Sequence, residues 1–154
     1  MNDLCREVLR VLKGKTLVTA ESCTGGGIGT ALTAIPGSSE VYKGGVICYT
    51  NWVKENILGV DREVLERYGA VSFPVAGAMA GGVRKLLNAD VAVSVTGLAG
   101  PGGDDFGNDV GTVYIGYESQ SEALVKKFCF SGDRESVRAS AVEEALKLVL
   151  AKNS

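Results

Sequence analysis

The sequence predicts a single α/β domain over residues 1–154, a three-layer α/β/α sandwich built on a mixed sheet. Three observations predict it. Short apolar runs of strand length alternate along the chain with segments of helical spacing. One run, Asp90-Val91-Ala92-Val93-Ser94-Val95-Thr96-Gly97, is apolar enough to be covered on both faces, as a central strand is. Two others, at 111–117 and 124–130, are joined by a polar turn at 118–122, which marks an antiparallel hairpin and makes the sheet mixed. With 154 residues and 45% hydrophobic content the chain is large enough to bury one proper core.

Taken in order, Leu4, Val8, Val11 and Leu12 share a helical face, so residues 3–13 form an amphipathic helix that closes at Gly14. A first strand follows at 16–20, then a glycine-rich turn and a helix to residue 34. Ile35-Pro36-Gly37 breaks that helix, because proline disfavours α conformation in the residue before it. A second strand occupies 44–50, rich in β-branched and aromatic residues. Asn51 caps a short helix at 52–58, and Asp61 caps another at 62–68 that ends at Gly69. Residues 70–74 read as a bend, and 75–87 as a helix whose alanines and glycines imply close packing on the sheet. The central strand opens into a long loop, 98–107, of the kind that serves a site. After the hairpin, Val137, Ala141, Ala145 and Leu148 keep helical spacing in a final helix behind Ser131-Gly132-Asp133.

Composition excludes several classes of function. The 16 basic and 18 acidic residues leave a net charge of −2, without the basic footprint of a nucleic-acid binder. No run of about 18 apolar residues spans a bilayer, and Met1-Asn2-Asp3-Leu4-Cys5-Arg6 lacks the basic flank and apolar core of a signal peptide. A cytoplasmic protein is the expectation. Cys5, Cys23, Cys48 and Cys129 form no C-x-x-C pair, so neither a zinc site nor a disulfide scaffold is suggested. The most restrictive feature is the lack of histidine. It removes Ser-His-Asp and Cys-His catalysis and histidine-based zinc sites together.

Chemistry concentrates at Leu17-Val18-Thr19-Ala20-Glu21-Ser22-Cys23-Thr24-Gly25-Gly26-Gly27, where a buried strand runs into polar groups and glycines before a helix. Free N–H groups at that helix start favour an anion or a developing oxyanion, with the amides near Thr24, Gly25 and Gly26 as candidate donors. Equally, Ser22 or Thr24 can be an ordinary N-cap and the glycines a tight turn. If Ser22 is a nucleophile, its base is a lysine, a tyrosine or a carboxylate. Strand ends and the loops that leave them form the ligand crevice of open α/β sheets, and here such ends carry Ser22, Tyr49 with Lys54, and Thr96 with Gly97. Lys54 is a base only if burial lowers its pKa, and otherwise a solvated helix lysine. Tyr49 either relays a proton or is an edge aromatic. Thr96 either meets substrate or satisfies a loop. Arg134, in the first turn of the last helix, opposes the helix dipole unless an anion lies between them, so Ser131, Gly132 and Arg134 suit a phosphate or carboxylate; a solvated surface arginine is the alternative. Cys23 is a rival nucleophile. Asp104, Asp105 and Asp109 do not follow a calcium-loop pattern.

Together these segments resemble the C-terminal domain of the CinA family, whose stand-alone members are nicotinamide-nucleotide amidases. The resemblance rests on residues 19–26, 36–39, Gly44-Gly45 with Tyr49 and Lys54, 58–60, 69–72, 96–101, 110–113 and 130–134, essentially the whole chain. It implies hydrolysis of the carboxamide of nicotinamide mononucleotide, without metal or cofactor. By position it implies Ser22 as nucleophile, Lys54 and Tyr49 as proton-handling partners, and Ser39, Thr96 and Arg134 as substrate-binding residues. Asn108-Asp109 is a departure, since members commonly carry Lys-Pro before Val-Gly-Thr-Val. A small-molecule substrate and a homodimer are the expected partners; the competing expectation is a nucleotide-binding regulatory module without catalysis.

Overall fold

The computed structural model describes residues 1–154. In chain order the elements are α1 (Asn2–Val11), β1 (Leu17–Glu21), α2 (Gly27–Thr33), a 3-10 turn (Ser38–Glu40), β2 (Tyr42–Ile47), α3 (Asn51–Asn56), α4 (Arg62–Tyr68), α5 (Phe73–Leu86), β3 (Val91–Gly97), β4 (Thr112–Ser119), β5 (Ala123–Cys129) and α6 (Arg134–Asn153). The five strands form one sheet in the order β2-β1-β3-β4-β5. β1 pairs in parallel with β2 and β3, whereas β4 runs antiparallel to both β3 and β5, so the sheet is mixed as expected.

Strand alternation divides the core into two layers. Leu17, Val91, Val93, Val95, Val113 and Ile115 face α1, α2 and α6, and are buried with Val8, Ile28, Leu32, Val137 and Leu146. Their neighbours Val18, Ala20 and Ala92 face the other way, onto Leu65 of α4 and Val75, Met79 and Val83 of α5. β3 is buried on both sides along Val91–Thr96, which accounts for its near-continuous apolar run. The small residues of this layer have the expected cause. A Cβ on Gly116 of β4 would stand 2.6 Å from the Ala76 carbonyl, and Ser94 Oγ donates to that same carbonyl at 2.6 Å. Helix α5 thus lies against the sheet with no room for a side chain between them. No helix is long and apolar enough to cross a membrane.

Several boundaries differ from the sequence expectation, for local reasons. α1 ends at Val11, and Gly14 at φ +88° serves the turn beyond it. β2 begins two residues earlier, because Tyr42 pairs with Leu17 and its hydroxyl lies 2.9 Å from Thr19 Oγ1. α5 starts at Phe73 and takes Pro74 into its first turn, where a missing N–H breaks no intrahelical bond. Thr50, without a side-chain bond, holds the N-cap position expected for Asn51. Asp61 caps α4 as expected, accepting from the Glu63 amide at 2.8 Å.

Candidate active site

The carboxyl ends of the parallel strands β1, β2 and β3 open onto one cleft of about 580 Å³. Ser22, Tyr49, Lys54, Thr96, Gly97 and Arg134 line it, although they are distributed over 113 positions of sequence. At the end of β1, alternation sends Glu21 and Ser22 to opposite faces. Ser22 stands 7% exposed in the cleft, its amide held by the Val95 carbonyl at 2.9 Å.

Glu21 points back under α2 and is buried. Oε1 accepts from Thr24 Oγ1 and the Ile28 amide, both at 2.8 Å, and Oε2 from Thr19 Oγ1 at 3.1 Å and the Gly29 amide at 3.2 Å. The start of α2 is therefore occupied by the chain's own carboxylate, and the expectation of an anion at that helix start is corrected. The Gly25 amide is likewise engaged, donating to the Ser22 carbonyl at 3.1 Å. The amides of Cys23, Thr24 and Gly26 donate to no protein group, and of these residues only Cys23 lines the cleft, one position before the 24–26 stretch expected to supply the oxyanion donors. Thr24 turns its hydroxyl to Glu21, and neither it nor Gly25 or Gly26 lines the cleft.

Lys54 is not the solvated lysine of the alternative reading. It is 1% exposed, and Nζ lies 3.0 Å from Ser22 Oγ, 2.7 Å from the Cys48 carbonyl and 3.4 Å from the Tyr49 carbonyl. No carboxylate pairs with it, and burial holds its pKa below the usual 10.5. A neutral amine has two N–H donors and one lone pair. The charged amine can donate to all three oxygens, and after loss of one proton it still donates to the two carbonyls and turns its lone pair to the Ser22 hydroxyl, so the same contacts serve both forms.

Tyr49 contributes differently from expectation. Its phenol oxygen accepts from Arg134 Nη2 at 3.1 Å, and it bonds neither Ser22 nor the Lys54 amine. Arg134 also donates through Nη1 to the Gly100 carbonyl at 2.8 Å, so its guanidinium bridges the 98–107 loop to the β2 end. The start of α6 is capped by Asp133, which accepts from the Ser136 amide at 2.9 Å, a bond that lowers its carboxyl pKa. Ser131 and Gly132 do not line the cleft, so only the side chain of Arg134 carries the anion site expected there. Thr96 is buried in the cleft wall and donates to the Ala70 carbonyl at 2.8 Å, the loop-satisfying role foreseen as its alternative. Gly97 admits the Val113 side chain, 2.6 Å from where a Cβ would stand. Ser39 lies apart from the cleft, exposed in the 3-10 turn, with its carbonyl accepting from Lys43 Nζ at 2.7 Å.

Cys23 fits poorly as the rival nucleophile, since it is 6% exposed and burial pushes its thiol up to about 11. Cys48, beside Lys54, is raised to about 11 for the same reason.

Three residues of the site escaped sequence reasoning. Asn108, the departure from the family pattern, donates to Asp104 Oδ2 at 2.7 Å and to the Val71 carbonyl at 3.1 Å, which ties the acidic loop to the cleft wall. Phe106 packs its ring over Gly69 at the cleft edge. Arg138 donates from Nε to the Cys23 carbonyl at 3.0 Å and from Nη2 to the Thr24 carbonyl at 3.3 Å. Its position four residues after Arg134, on the same helical face, was the available signal. No group of three or more His, Cys, Asp or Glu side chains is arranged to hold a metal.

This arrangement has counterparts. Residues 2–152 match the family model described as the CinA C-terminal domain. The chain belongs to the CinA C-terminal domain family. A CinA-like protein of Thermosynechococcus vestitus is 49% identical over 153 residues, covering 96% of this chain and 37% of that protein. One from Parasynechococcus marenigrum is 47% identical over 149 residues, covering 94% and 36%. The chain therefore spans about a third of the length of the curated relatives it matches. Among solved structures, the competence damage-inducible protein A (ComA) of Klebsiella pneumoniae has a TM-score of 0.95 at 38% identity, covering 98% of this chain and 95% of that one. The competence/damage inducible protein CihA of Agrobacterium tumefaciens has a TM-score of 0.96 at 38%, covering 99% and 95%. At this coverage the CinA domain accounts for the entire sheet and both helical layers.

Proposed function

We propose that this CinA domain is a serine amidase that hydrolyses the carboxamide of nicotinamide mononucleotide to the carboxylate and ammonia. The observation that carries the reading is the buried Lys54 amine 3.0 Å from Ser22 Oγ with no carboxylate partner. Burial lowers the pKa of such an amine and so favours the neutral form that can take a proton, and a histidine-free chain needs such a base. Ser22 Oγ forms the bond to the amide carbon while its proton passes to Lys54 Nζ. The tetrahedral oxyanion is held by the amide of Cys23, which is unpaired and belongs to a residue of the cleft wall. Lys54 then returns the proton to the departing nitrogen, the C–N bond breaks, and ammonia leaves an ester on Ser22. Water adds to that ester with Lys54 again as base, which releases the carboxylate and restores the hydroxyl.

Arg134 is the cation at the cleft mouth and meets the substrate phosphate, where a guanidinium offers paired donors. Tyr49, bonded to Arg134, holds that guanidinium rather than transferring a proton. A binding module without catalysis would have no use for an unpaired buried lysine on a serine hydroxyl. Incubation with nicotinamide mononucleotide and measurement of ammonia tests the proposal. Release by the native chain and none by Ser22→Ala supports it; release undiminished in Ser22→Ala removes it.

A further inference from the structure

Nearly half of the cleft wall is a single stretch of chain, since residues 98–106 supply nine of the nineteen residues that line it. Little fixes that stretch. Residues 99–108 form no hydrogen bond between backbone groups, and four of these ten are glycine. A side chain on Gly102 or Gly107 would meet nothing within 4 Å, so at those points the loop rests on no other element. Its course is therefore set by a few side chains. At the near end, Arg134 donates to the Gly100 carbonyl at 2.8 Å. At the far end, Asp104 closes the tip on itself: Oδ1 accepts from the amides of Phe106 at 3.1 Å and Asn108 at 3.2 Å, and Oδ2 accepts from Asn108 Nδ2 at 2.7 Å. One hydrogen bond alone then joins residues 101–108 to the rest of the protein, from Asn108 Nδ2 to the Val71 carbonyl at 3.1 Å.

Val71 belongs to the bend between α4 and α5 and itself lines the cleft. We infer that Asn108 is a positioning residue for substrate binding: its amide latches the loop to that bend and so sets the width of the cleft that receives the nucleotide. The substrate named here rests on the amidase reading above. An amide nitrogen carries two N–H donors, and here they are shared between two groups that only accept. An aspartate of the same shape has neither donor and would set a like charge against Asp104. Beside the latch the Phe106 ring seats on Gly69, where a Cβ would stand 2.6 Å from it. That apolar contact is non-directional, so the hydrogen bond is what fixes the position of the tip. Asn108 does not line the cleft and so does not touch substrate. The reacting groups are held elsewhere, Ser22 and Cys23 by the turn after β1 and Lys54 by α3.

Loss of the latch lowers the fraction of molecules with the wall in place, which raises KM and spares kcat. The test compares the native chain with Asn108→Asp, Asn108→Leu and Asn108→Gln by three measurements: steady-state ammonia release from nicotinamide mononucleotide, thermal melting, and the rate at which chymotrypsin cuts after Phe106, read by mass spectrometry. Two hydrogen bonds are lost, each worth about fivefold in an equilibrium. Asn108→Asp and Asn108→Leu are therefore expected to raise KM on the order of 10-fold with kcat within about threefold, and to speed cleavage after Phe106 to a similar extent. Asn108→Gln keeps the donors on a longer arm and is expected to recover part of both. A KM and a cleavage rate within about twofold of native in Asn108→Asp and Asn108→Leu overturn the inference. So does a fall in kcat with KM unmoved, or a change that only tracks the unfolded fraction in the melt. If the native chain releases no ammonia, the amidase reading fails, and the inference that Asn108 holds the cleft wall stands or falls on the cleavage rates.

Discussion

Replacing Glu21 with glutamine tests whether the buried carboxylate is what fastens α2 beneath the catalytic turn. The side chain keeps its shape and loses its charge. Each oxygen of the native carboxylate accepts from one threonine hydroxyl and one backbone amide. A hydroxyl rotates to accept from the new NH₂ group, but a backbone N–H has no such freedom, so either orientation leaves one buried amide facing a donor. The weaker contact, to the Gly29 amide at 3.2 Å, is the one expected to be given up. An orphaned buried donor costs about 1–3 kcal/mol, and the lost carboxylate at the helix start adds about 0.3–1 kcal/mol. The sum, about 1.3–4 kcal/mol, corresponds to a Tm lower by roughly 3–16 °C for a domain of this size. Thermal unfolding followed by circular dichroism, with matched urea titrations, reads it directly. A Tm within about 2 °C of the native value would refute the assignment of Glu21 as the anchor of α2.

Three further outcomes follow from the site. Lys54→Met removes the amine but fills its volume, so amide hydrolysis should fall at least ~1000-fold, while stability at neutral pH moves by no more than about 2 kcal/mol, because relief of a buried charge offsets the lost hydrogen bonds; ammonia assays and urea melts check the two halves. The folded native chain binds fewer protons at Lys54 than the unfolded chain between its lowered pKa and 10.5. Stability should therefore rise with pH through that window, and this rise should be missing in Lys54→Met. Cys23→Ala should keep activity within about threefold, and iodoacetamide at neutral pH should label the exposed Cys129 before the thiol raised to about 11; inactivation in step with Cys23 labelling would restore the thiol mechanism. Arg134→Ala should lower kcat/KM for the phosphorylated substrate by about 10–100-fold, chiefly through KM, and much less for the corresponding nucleoside.

The sequence discloses the layers and the strand ends because those follow from local periodicity. β3 was legible as a strand covered on both faces, and the β4–β5 hairpin was legible from its polar turn. The convergence of Ser22, Lys54 and Arg134 was legible because each follows the end of a strand or starts a helix, and open sheets gather such positions on one edge. What stayed hidden depends on contacts without a local trace. Glu21 looked like one more polar group in the turn, whereas alternation along β1 puts it beneath α2 and away from Ser22. Lys54 gave no sign of its burial, which comes from Cys48 and Ser22 closing over the amine. For Tyr49 the residues leave a proton relay and an edge aromatic both open and the family resemblance implies the former, yet its phenol reaches 85 residues ahead to Arg134, a contact with no local trace. Ser39 falls in a matching motif but sits on another part of the surface.

The central claim is that Ser22 is made reactive by a buried amine whose pKa burial holds below its ordinary value. Titration of the Lys54 ε-methylene by NMR on lysine-labelled protein, assigned by the signal missing from Lys54→Met, tests it most directly. The account expects a midpoint below 10.5 and a kcat/KM that climbs with pH through that same midpoint. A Lys54 signal that titrates at or above 10.5, alongside amidase activity that does not vary as the lysine loses its proton, would contradict it.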